Sequence, residues 1–146
     1  MKLDELLAHV SLFERLDGRA VKSLAKLLKT QEYPAGHCIV AEGQLGLGLY
    51  IVVEGRCDVL RGGRLLQTLG PGDFFGETAL LDDLPRTADV KTTTPMTCAT
   101  LAKWEFLGEL ESHPEMALPL LPMLSRRLRV AEARADRLAE ELNTTA

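Results

Sequence analysis

The hydrophobic and polar positions change their period twice along the chain. Up to residue 30 the apolar residues recur at three- and four-residue steps, which is the period of amphipathic helices. This stripe consists of Leu12, Leu16, Ala20, Leu24 and Leu27. The tripeptide LDG at 16–18 predicts a break between two helices. Residues 1–30 are therefore predicted to form N-terminal helices.

From Tyr33 onward glycines separate a series of short apolar runs. They extend from "HCIVAE" through "GLYIVVEG", "CDVLRGG" and "RLLQTLGPGD" to "ADVKTTTPMTCATLAKWEF". Turn residues at such regular spacing predict a small antiparallel barrel or jelly roll. The segment RGGR at 61–64 predicts the clearest hairpin, since two glycines tolerate the positive φ angles of a type I′ turn. We expect this β-roll to occupy residues 31–107.

The helical period returns near Glu109, and we expect a C-terminal helical region over residues 109–142. Pro119 and Pro122 suit the first turns of a helix, so a continuous helix is predicted from about Leu121. Apolar residues then recur at steps of three and four, the spacing of a coiled-coil seam. This heptad seam consists of Leu121, Leu124, Leu128, Ala131, Ala135, Leu138 and Leu142. It predicts a homodimer, and the alternative is a helix that packs on its own barrel.

The composition fits one domain over residues 1–146 with a substantial core, because 46% of the residues are apolar. The net charge of −4 argues against a general nucleic-acid coat. No apolar run is long enough for a membrane span, and the N-terminus lacks the apolar core of a signal peptide. Cys38, Cys57 and Cys98 lie far apart without metal-ligand spacing, as do the three histidines. This predicts buried, reduced thiols in a cytoplasmic protein and no metal site.

The most distinctive chemistry lies in "FGETALLDDLPRTADV" at 75–90. A Pro-Gly turn leads into a short helix predicted to begin at Gly76 and Glu77, and helix N-termini bind anions, phosphate above all. Gly76 lets the backbone approach closely, and the small Ala79 leaves room above the first turn. Arg86 supplies bidentate donors for phosphate oxygens. Glu77 cannot favour a phosphate, so we expect it to accept a hydrogen bond from a sugar hydroxyl. Phosphate plus ribose explains both residues.

The segments GETALL at 76–81 and PRTA at 85–88 resemble the phosphate-binding cassette of cyclic nucleotide-binding domains. Such domains occur in catabolite-activator-type regulators, protein kinase regulatory subunits and nucleotide-gated channels. Residues 33–55 are similar to the family's first strands, and the resemblance covers about residues 10–140. It implies a mainly β fold with flanking α elements, namely an eight-stranded antiparallel β-roll (jelly roll) with N-terminal helices and a long C-terminal helix.

The resemblance also implies roles for individual residues. Glu77 would bind the ribose 2′-hydroxyl and Arg86 the cyclic phosphate. The backbone around the ligand would be that of Gly76, Thr78, Ala79, Thr87 and Ala88. In the family's cAMP-responsive bacterial regulators a Thr-Ser pair on the long helix contacts adenine, and its counterpart here is Ala131-Glu132. Arg127 and Glu132 are the candidate base contacts.

The function that the resemblance implies is a cytoplasmic sensor for a 3′,5′-cyclic mononucleotide. It favours cAMP over cGMP as the ligand, although a threonine at the position of Thr87 accompanies cGMP tolerance in some members. The sensor would relay binding through the C-terminal helix to a downstream protein. No nucleophile–base pair, metal cluster or Walker-type loop accompanies the cassette, so neither a cofactor nor catalysis is expected.

Three alternatives remain open. Transcription regulators of the family continue into a helix-turn-helix domain, whereas only NTTA follows Leu142. Direct DNA binding is therefore not expected, unless the chain is such a regulator truncated before its DNA-binding domain. A cupin-like metal enzyme would use a similar β-roll but would need His and Glu ligands that meet inside it. A degenerate domain would keep the fold only for contact with other proteins.

Overall fold

The computed structural model describes residues 2–82 and 85–145. The described residues form four α-helices, which are α1 (Leu3–Ala8), α2 (Gly18–Ala25), α3 (Lys103–Ser112) and α4 (Leu121–Thr145). They also form eight β-strands, which are β1 (Lys29–Tyr33), β2 (Cys38–Val40), β3 (Gly48–Glu54), β4 (Cys57–Arg61), β5 (Arg64–Leu69), β6 (Phe74–Phe75), β7 (Asp89–Thr92) and β8 (Met96–Ala102). Short 3₁₀ turns lie at Ser11–Phe13, Glu77–Leu80, Pro114–Met116 and Leu118–Leu120.

The strands form two four-stranded sheets with entirely antiparallel pairing. Their orders are β1–β8–β3–β6 and β2–β7–β4–β5. The N-terminal helices, α3 and the start of α4 pack against the first sheet. The predicted mainly β fold, an eight-stranded roll with N-terminal helices and a long C-terminal helix, is confirmed.

Two apolar clusters hold the roll together, one on each face of the first sheet. Side chains alternate between the faces along a strand, so Leu49 and Ile51 of β3 face the helices while Val52 faces the second sheet. On the helical side the rings of Phe13 and Phe106 lie 5.6 Å apart, centroid to centroid. Between the sheets lie Val52, Cys57, Leu69, Val90, Met96 and Cys98.

The hairpin between β4 and β5 has the predicted form. Gly62 and Gly63 have φ angles of 58° and 77°, as a type I′ turn requires. Arg61 and Arg64 face each other across the two strands directly beside this turn. The hairpin thus presents two arginines at its tip, one from each strand.

Two boundaries differ from the prediction. The helices of the first 30 residues end at Ala25, because Lys29 and Thr30 belong to β1. The strand predicted to run into "KWEF" is wrong from Lys103, where α3 begins. Trp104 and Phe106 are two residues apart, which is the spacing that places two side chains on one face of a strand. In the helix they separate, since Phe106 is buried and Trp104 is 64% exposed.

The cysteine prediction is confirmed for two residues and wrong for one. Cys57 and Cys98 are fully buried between the sheets, and burial raises the pKa of their thiols to about 11 and about 12 respectively. Cys38 is exposed, because it lies at the start of β2, an edge strand of the second sheet. All three are free thiols.

Helix α4 begins at Leu121, as the two prolines predicted. Near its start Met123 is buried and Leu124 packs against the helical cluster. Farther along, the heptad seam leaves the domain surface, and Leu128 and Leu138 are 60% and 59% exposed. None of the helices in the described ranges combines the length and the apolarity that a membrane crossing needs.

Candidate functional site

Most of the predicted site residues surround one cavity, which we call the Arg86 cavity. Its volume is about 250 Å³. Six of the seven predicted ligand-binding residues line it, namely Gly76, Thr78, Ala79, Arg86, Thr87 and Ala88. The remaining lining residues are Val40, Phe75, Asp82, Pro85 and Val90. One wall is thus polar and built by the cassette, while valines and an aromatic ring contribute apolar surface.

The cassette begins with a single tight turn rather than a longer helix. Gly76 precedes the 3₁₀ turn Glu77–Leu80 and has a φ angle of 80°, a left-handed conformation that side chains other than glycine rarely adopt. The Ala79 N–H donates to the Gly76 carbonyl at 3.1 Å, which closes the turn. The first N–H groups of such a turn have no partner within it. They are therefore available to an acceptor at the cavity wall.

Arg86 is held in a narrow space between glycine backbones. Its Nη2 donates to the Gly48 carbonyl at 2.8 Å. A Cβ atom on Gly46 would lie 2.6 Å from the Arg86 Nε, and one on Gly76 would lie 2.5 Å from its Nη1. Burial lowers the pKa of Arg86, although the nearby Tyr50 and Asp82 raise it to a smaller extent. Arginine remains charged even so.

The Arg86 side chain also contains an unsatisfied donor. Its Nε is buried and has no hydrogen-bond partner within residues 2–82 and 85–145. Leaving a buried donor of a charged group unpaired costs about 1–3 kcal/mol or more. An acceptor that enters the cavity could remove this cost. The geometry therefore fits an anionic ligand.

Glu77 lies beside the cavity but its carboxylate faces a different hollow, the Glu77 groove. Its Oε1 pairs with the Arg127 Nη2, and its Oε2 accepts from the Ser11 hydroxyl at 3.3 Å. The Arg127 Nη2 also donates to the Ser11 Oγ at 2.9 Å. Three distant segments of the chain, the first 3₁₀ turn, the cassette and α4, thus meet at one carboxylate that is only 12% exposed.

The Glu77 groove has a volume of about 550 Å³ and lies along α4. Its lining residues are Ser11, Glu14, Glu77, Met123, Arg126, Arg127, Val130, Ala131 and Arg134. Arg127, a candidate base contact, belongs to this groove and reaches the cassette through Glu77. Glu132, the other candidate, is exposed on α4 and lines neither hollow.

Three residues at the site were missed by the sequence interpretation. Ser11 and Gly46 come from parts of the chain with no binding motif, and only the fold brings them to Glu77 and Arg86. The third is Arg61, whose Nε donates to the Thr87 carbonyl at 2.9 Å. Its position could have been inferred from the two-residue alternation of β4, in which Cys57, Val59 and Arg61 share a face.

The titratable residues give no sign of a metal centre. Within the described ranges no group of three or more His, Cys, Asp or Glu side chains is placed to hold a metal ion. The described polar side chains that line the two hollows are instead four guanidinium groups, three carboxylates and three hydroxyls. Guanidinium groups suit phosphate oxygens and carboxylates suit the hydroxyl groups of a ligand.

Comparison with known proteins identifies the family of this chain. A family model described as cyclic nucleotide-binding domain matches residues 30–113. The CRP-like cAMP-activated global transcriptional regulator of Mycobacterium tuberculosis is 35% identical over 132 residues, which are 87% of this chain and 59% of the regulator. The cAMP-dependent protein kinase regulatory subunit of Eremothecium gossypii is 41% identical over 104 residues, covering 70% of this chain and 23% of the subunit.

A solved structure shows the same fold over nearly its full length. It is the N-terminal domain of a transcriptional regulator from Streptomyces coelicolor A3(2), with a TM-score of 0.79, 30% identity, and coverage of 86% of this chain and 94% of that domain. This chain belongs to the family of cyclic nucleotide-binding domains. It spans only 59% and 23% of the lengths of the two full-length relatives above.

Proposed function

We propose that this domain is a sensor that binds a 3′,5′-cyclic mononucleotide and transmits the bound state through α4. The observation that carries the proposal is the buried Nε of Arg86, a charged donor without a partner in the described structure, at the wall of a cavity built by the cassette. A phosphodiester oxygen would supply the missing acceptor. The sensor role requires no chemistry at the ligand and no cofactor.

The phosphate would occupy the Arg86 cavity. One of its oxygens would accept from Arg86 and another from the N–H groups of the turn that follows Gly76. Thr87, exposed at the same wall, offers a hydroxyl within reach of the ligand. The backbone of Thr78, Ala79 and Ala88 completes the wall. The site therefore combines a fixed positive charge with oriented backbone donors, which is how proteins commonly hold phosphate.

The ribose and base would extend from the cavity toward the Glu77 groove. Glu77 is already paired with Arg127, so a ribose 2′-hydroxyl would donate to a carboxylate that α4 also holds. The base would lie along α4, where Arg127 lines the Glu77 groove and is the better placed of the two candidate contacts, since Glu132 lies outside both hollows. We propose cAMP as the ligand in preference to cGMP, and the relatives named for cAMP support this choice.

The output would pass through α4. The helix contains 25 residues and is about 37 Å long, and its heptad seam is largely exposed beyond Leu124. We propose that two copies pair in parallel through the seam, in the cytoplasm, and that a downstream protein reads the dimer. Helix α4 contacts Glu77 through Arg127. A nucleotide whose ribose binds Glu77 would therefore alter the Glu77–Arg127 ion pair and, with it, the packing of α4.

The test is calorimetric titration with cAMP of the Arg86→Ala and Arg86→Lys variants, with Arg64→Ala as the matched control on an exposed arginine. Arg86→Ala should weaken binding by about 2–5 kcal/mol, the range for truncating one partner of a buried charge pair. Arg86→Lys should lose much of the same energy, because lysine lacks the bidentate fork. Unchanged affinity in Arg86→Ala, with the fold intact by circular dichroism, would rule out the assigned contact.

A further inference from the structure

Arg61 lies at the end of β4, directly beside the β4–β5 hairpin turn. Along β4 it follows Cys57 and Val59 at two-residue steps, and these two belong to or pack against the cluster between the sheets. The strand pairs regularly with β7, where Val59 faces Val90 of the Arg86 cavity. Alternation thus places Arg61 on the inner face of the second sheet, at its open end. The side chain is exposed there.

In the part of the chain that the structure describes, both acceptors of the Arg61 guanidinium belong to one residue of the cavity wall. Its Nε donates to the Thr87 carbonyl at 2.9 Å, and its Nη2 lies 3.5 Å from the Thr87 Oγ1. Thr87 directly follows Arg86 and lines the cavity. Arg61 therefore connects the β4–β5 hairpin to the half of the cassette that contains Arg86, across 26 residues of sequence.

In the contact between the Arg61 Nη2 and the Thr87 Oγ1, only the guanidinium can donate, and this leaves the Thr87 hydroxyl free to donate elsewhere. A guanidinium has only donors, whereas a hydroxyl has one donor and two acceptor lone pairs. At 3.5 Å, the outer limit of a hydrogen bond, the Thr87 Oγ1 can therefore only accept from Arg61, and its own hydrogen remains available to another acceptor. Accepting one hydrogen bond also makes a hydroxyl a stronger donor. The acceptor that the cavity would supply is an oxygen of the bound phosphate.

We propose that Arg61 is a positioning residue of the phosphate site, which fixes the backbone and the hydroxyl of Thr87 so that the hydroxyl donates to one particular exocyclic phosphate oxygen. The proposal rests on the proposed function, because it assigns a role within the same ligand site. Arg61 acts through Thr87 and not through its charge. It would therefore make the site selective between the two exocyclic oxygens of the cyclic phosphate.

Arg64 provides a matched control for this role. It faces Arg61 across the same hairpin turn, has the same charge and is also exposed. Among the described residues Arg61 donates to Thr87, whereas Arg64 does not. Substituting either arginine removes one positive charge from the same end of the hairpin. Only the Arg61 substitution removes the 2.9 Å bond to the Thr87 carbonyl and the longer contact with its hydroxyl.

The experiment uses the two phosphorothioate diastereomers of cAMP, in which sulfur replaces one or the other exocyclic oxygen. Calorimetric titration of the full chain gives a ratio of the two dissociation constants for the wild type, Arg61→Gln, Arg61→Lys, Arg64→Gln and Thr87→Val. The ratio should move toward one by about three- to tenfold in Arg61→Gln, the worth of one hydrogen bond. Arg61→Lys should change the ratio of dissociation constants as Arg61→Gln does, although lysine keeps the positive charge. Arg64→Gln should keep the wild-type ratio.

A double-mutant cycle separates positioning from a general effect on the fold. In the Thr87→Val background Arg61→Gln should leave the ratio unchanged, because the hydroxyl that Arg61 positions is absent. Equal ratios in Arg61→Gln and Arg64→Gln would overturn the proposal while the proposed function stands. Failure of the wild type to bind cAMP at all would instead refute the proposed function, and this inference with it.

Discussion

Two glycines on either side of β6, Gly72 and Gly76, allow the surroundings of Arg86 to be tested without changing any charge. Gly72 and Gly76 have φ angles of 89° and 80°, so alanine at either position is strained in the same way. A Cβ on Gly72 would meet no atom within 4 Å. A Cβ on Gly76 would lie 2.5 Å from the Arg86 Nη1 and 2.6 Å from the Gly48 carbonyl oxygen. The guanidinium can swing away, whereas the clash with the backbone carbonyl of β3 is relieved only if the backbone at Gly76 also shifts.

Gly72→Ala and Gly76→Ala should both lose the stability that the left-handed backbone costs an alanine. Only Gly76→Ala should also bind the nucleotide more weakly. The left-handed backbone costs an L residue roughly 1–2 kcal/mol. For a domain of this size that lowers the melting temperature by roughly 2–8 °C in both variants. Displacing Arg86 should remove at least one charge-assisted hydrogen bond to the phosphate, worth about 1.5–3 kcal/mol. Gly76→Ala should then bind cAMP about 10- to 150-fold more weakly.

The assay combines thermal unfolding followed by circular dichroism with calorimetric titration well below both melting temperatures. Gly72→Ala should unfold earlier than the wild type and bind cAMP with nearly the same affinity. Gly76→Ala should show a larger loss of stability than Gly72→Ala, because its Cβ also meets the Gly48 carbonyl, and a much weaker affinity for cAMP. Equal affinities in the two alanine variants would refute the reasoning, because the phosphate would then not depend on the position of Arg86.

The remaining predictions concern the carboxylate, the seam and the thiols. Glu77→Gln should reduce the preference of the site for cAMP over 2′-deoxy-cAMP in a competition titration. Equal affinity of the wild type for both ligands would show that Glu77 does not bind the ribose 2′-hydroxyl. Leu138→Glu should give monomers in sedimentation velocity. Ala133→Glu, whose position lies outside the heptad seam, should leave the proposed dimer intact. A monomeric wild type would disprove the dimer. Ellman's reagent should label Cys38 alone in the native protein, and rapid labelling of three thiols would contradict the burial of the other two.

The buried thiols also imply a dependence of stability on pH. Their folded pKa values, about 11 for Cys57 and about 12 for Cys98, exceed the usual value near 8.5 of an exposed thiol. A group whose pKa is raised by folding stabilises the protein below its unfolded pKa. This contribution should decline as the pH rises from about 8.5 toward 12, and thermal unfolding over that range measures it. A Cys98→Ala variant should lose part of the decline.

Residues whose role is set by local backbone geometry could be predicted from the sequence. Gly76 was predicted from the turn that it makes, and Arg86 from its place in the cassette, and both line one cavity. The hairpin at Gly62 and Gly63 was predicted for the same reason. In each case a few adjacent residues determine the conformation, so the sequence contains the necessary information.

Residues whose role depends on distant contacts could not be predicted. Ser11 lies 66 residues from Glu77, and no motif marks it. The direction of the Glu77 carboxylate depends on where α4 places Arg127, which periodicity alone does not determine. The strand predicted beyond Lys103 was wrong because two aromatic residues at alternate positions fit either element, and burial of Phe106 against Phe13 decided for the helix.

The central claim is that Arg86 and the turn after Gly76 form a site for a cyclic phosphate, and one titration tests it most directly. Purified wild-type protein is titrated with cAMP in a calorimeter, with cGMP and 5′-AMP as comparison ligands. The account predicts saturable one-to-one binding of cAMP in roughly the micromolar range or tighter, with cGMP within about 1–2 kcal/mol of it. Absence of saturable binding for both cyclic nucleotides at millimolar concentration would contradict the account.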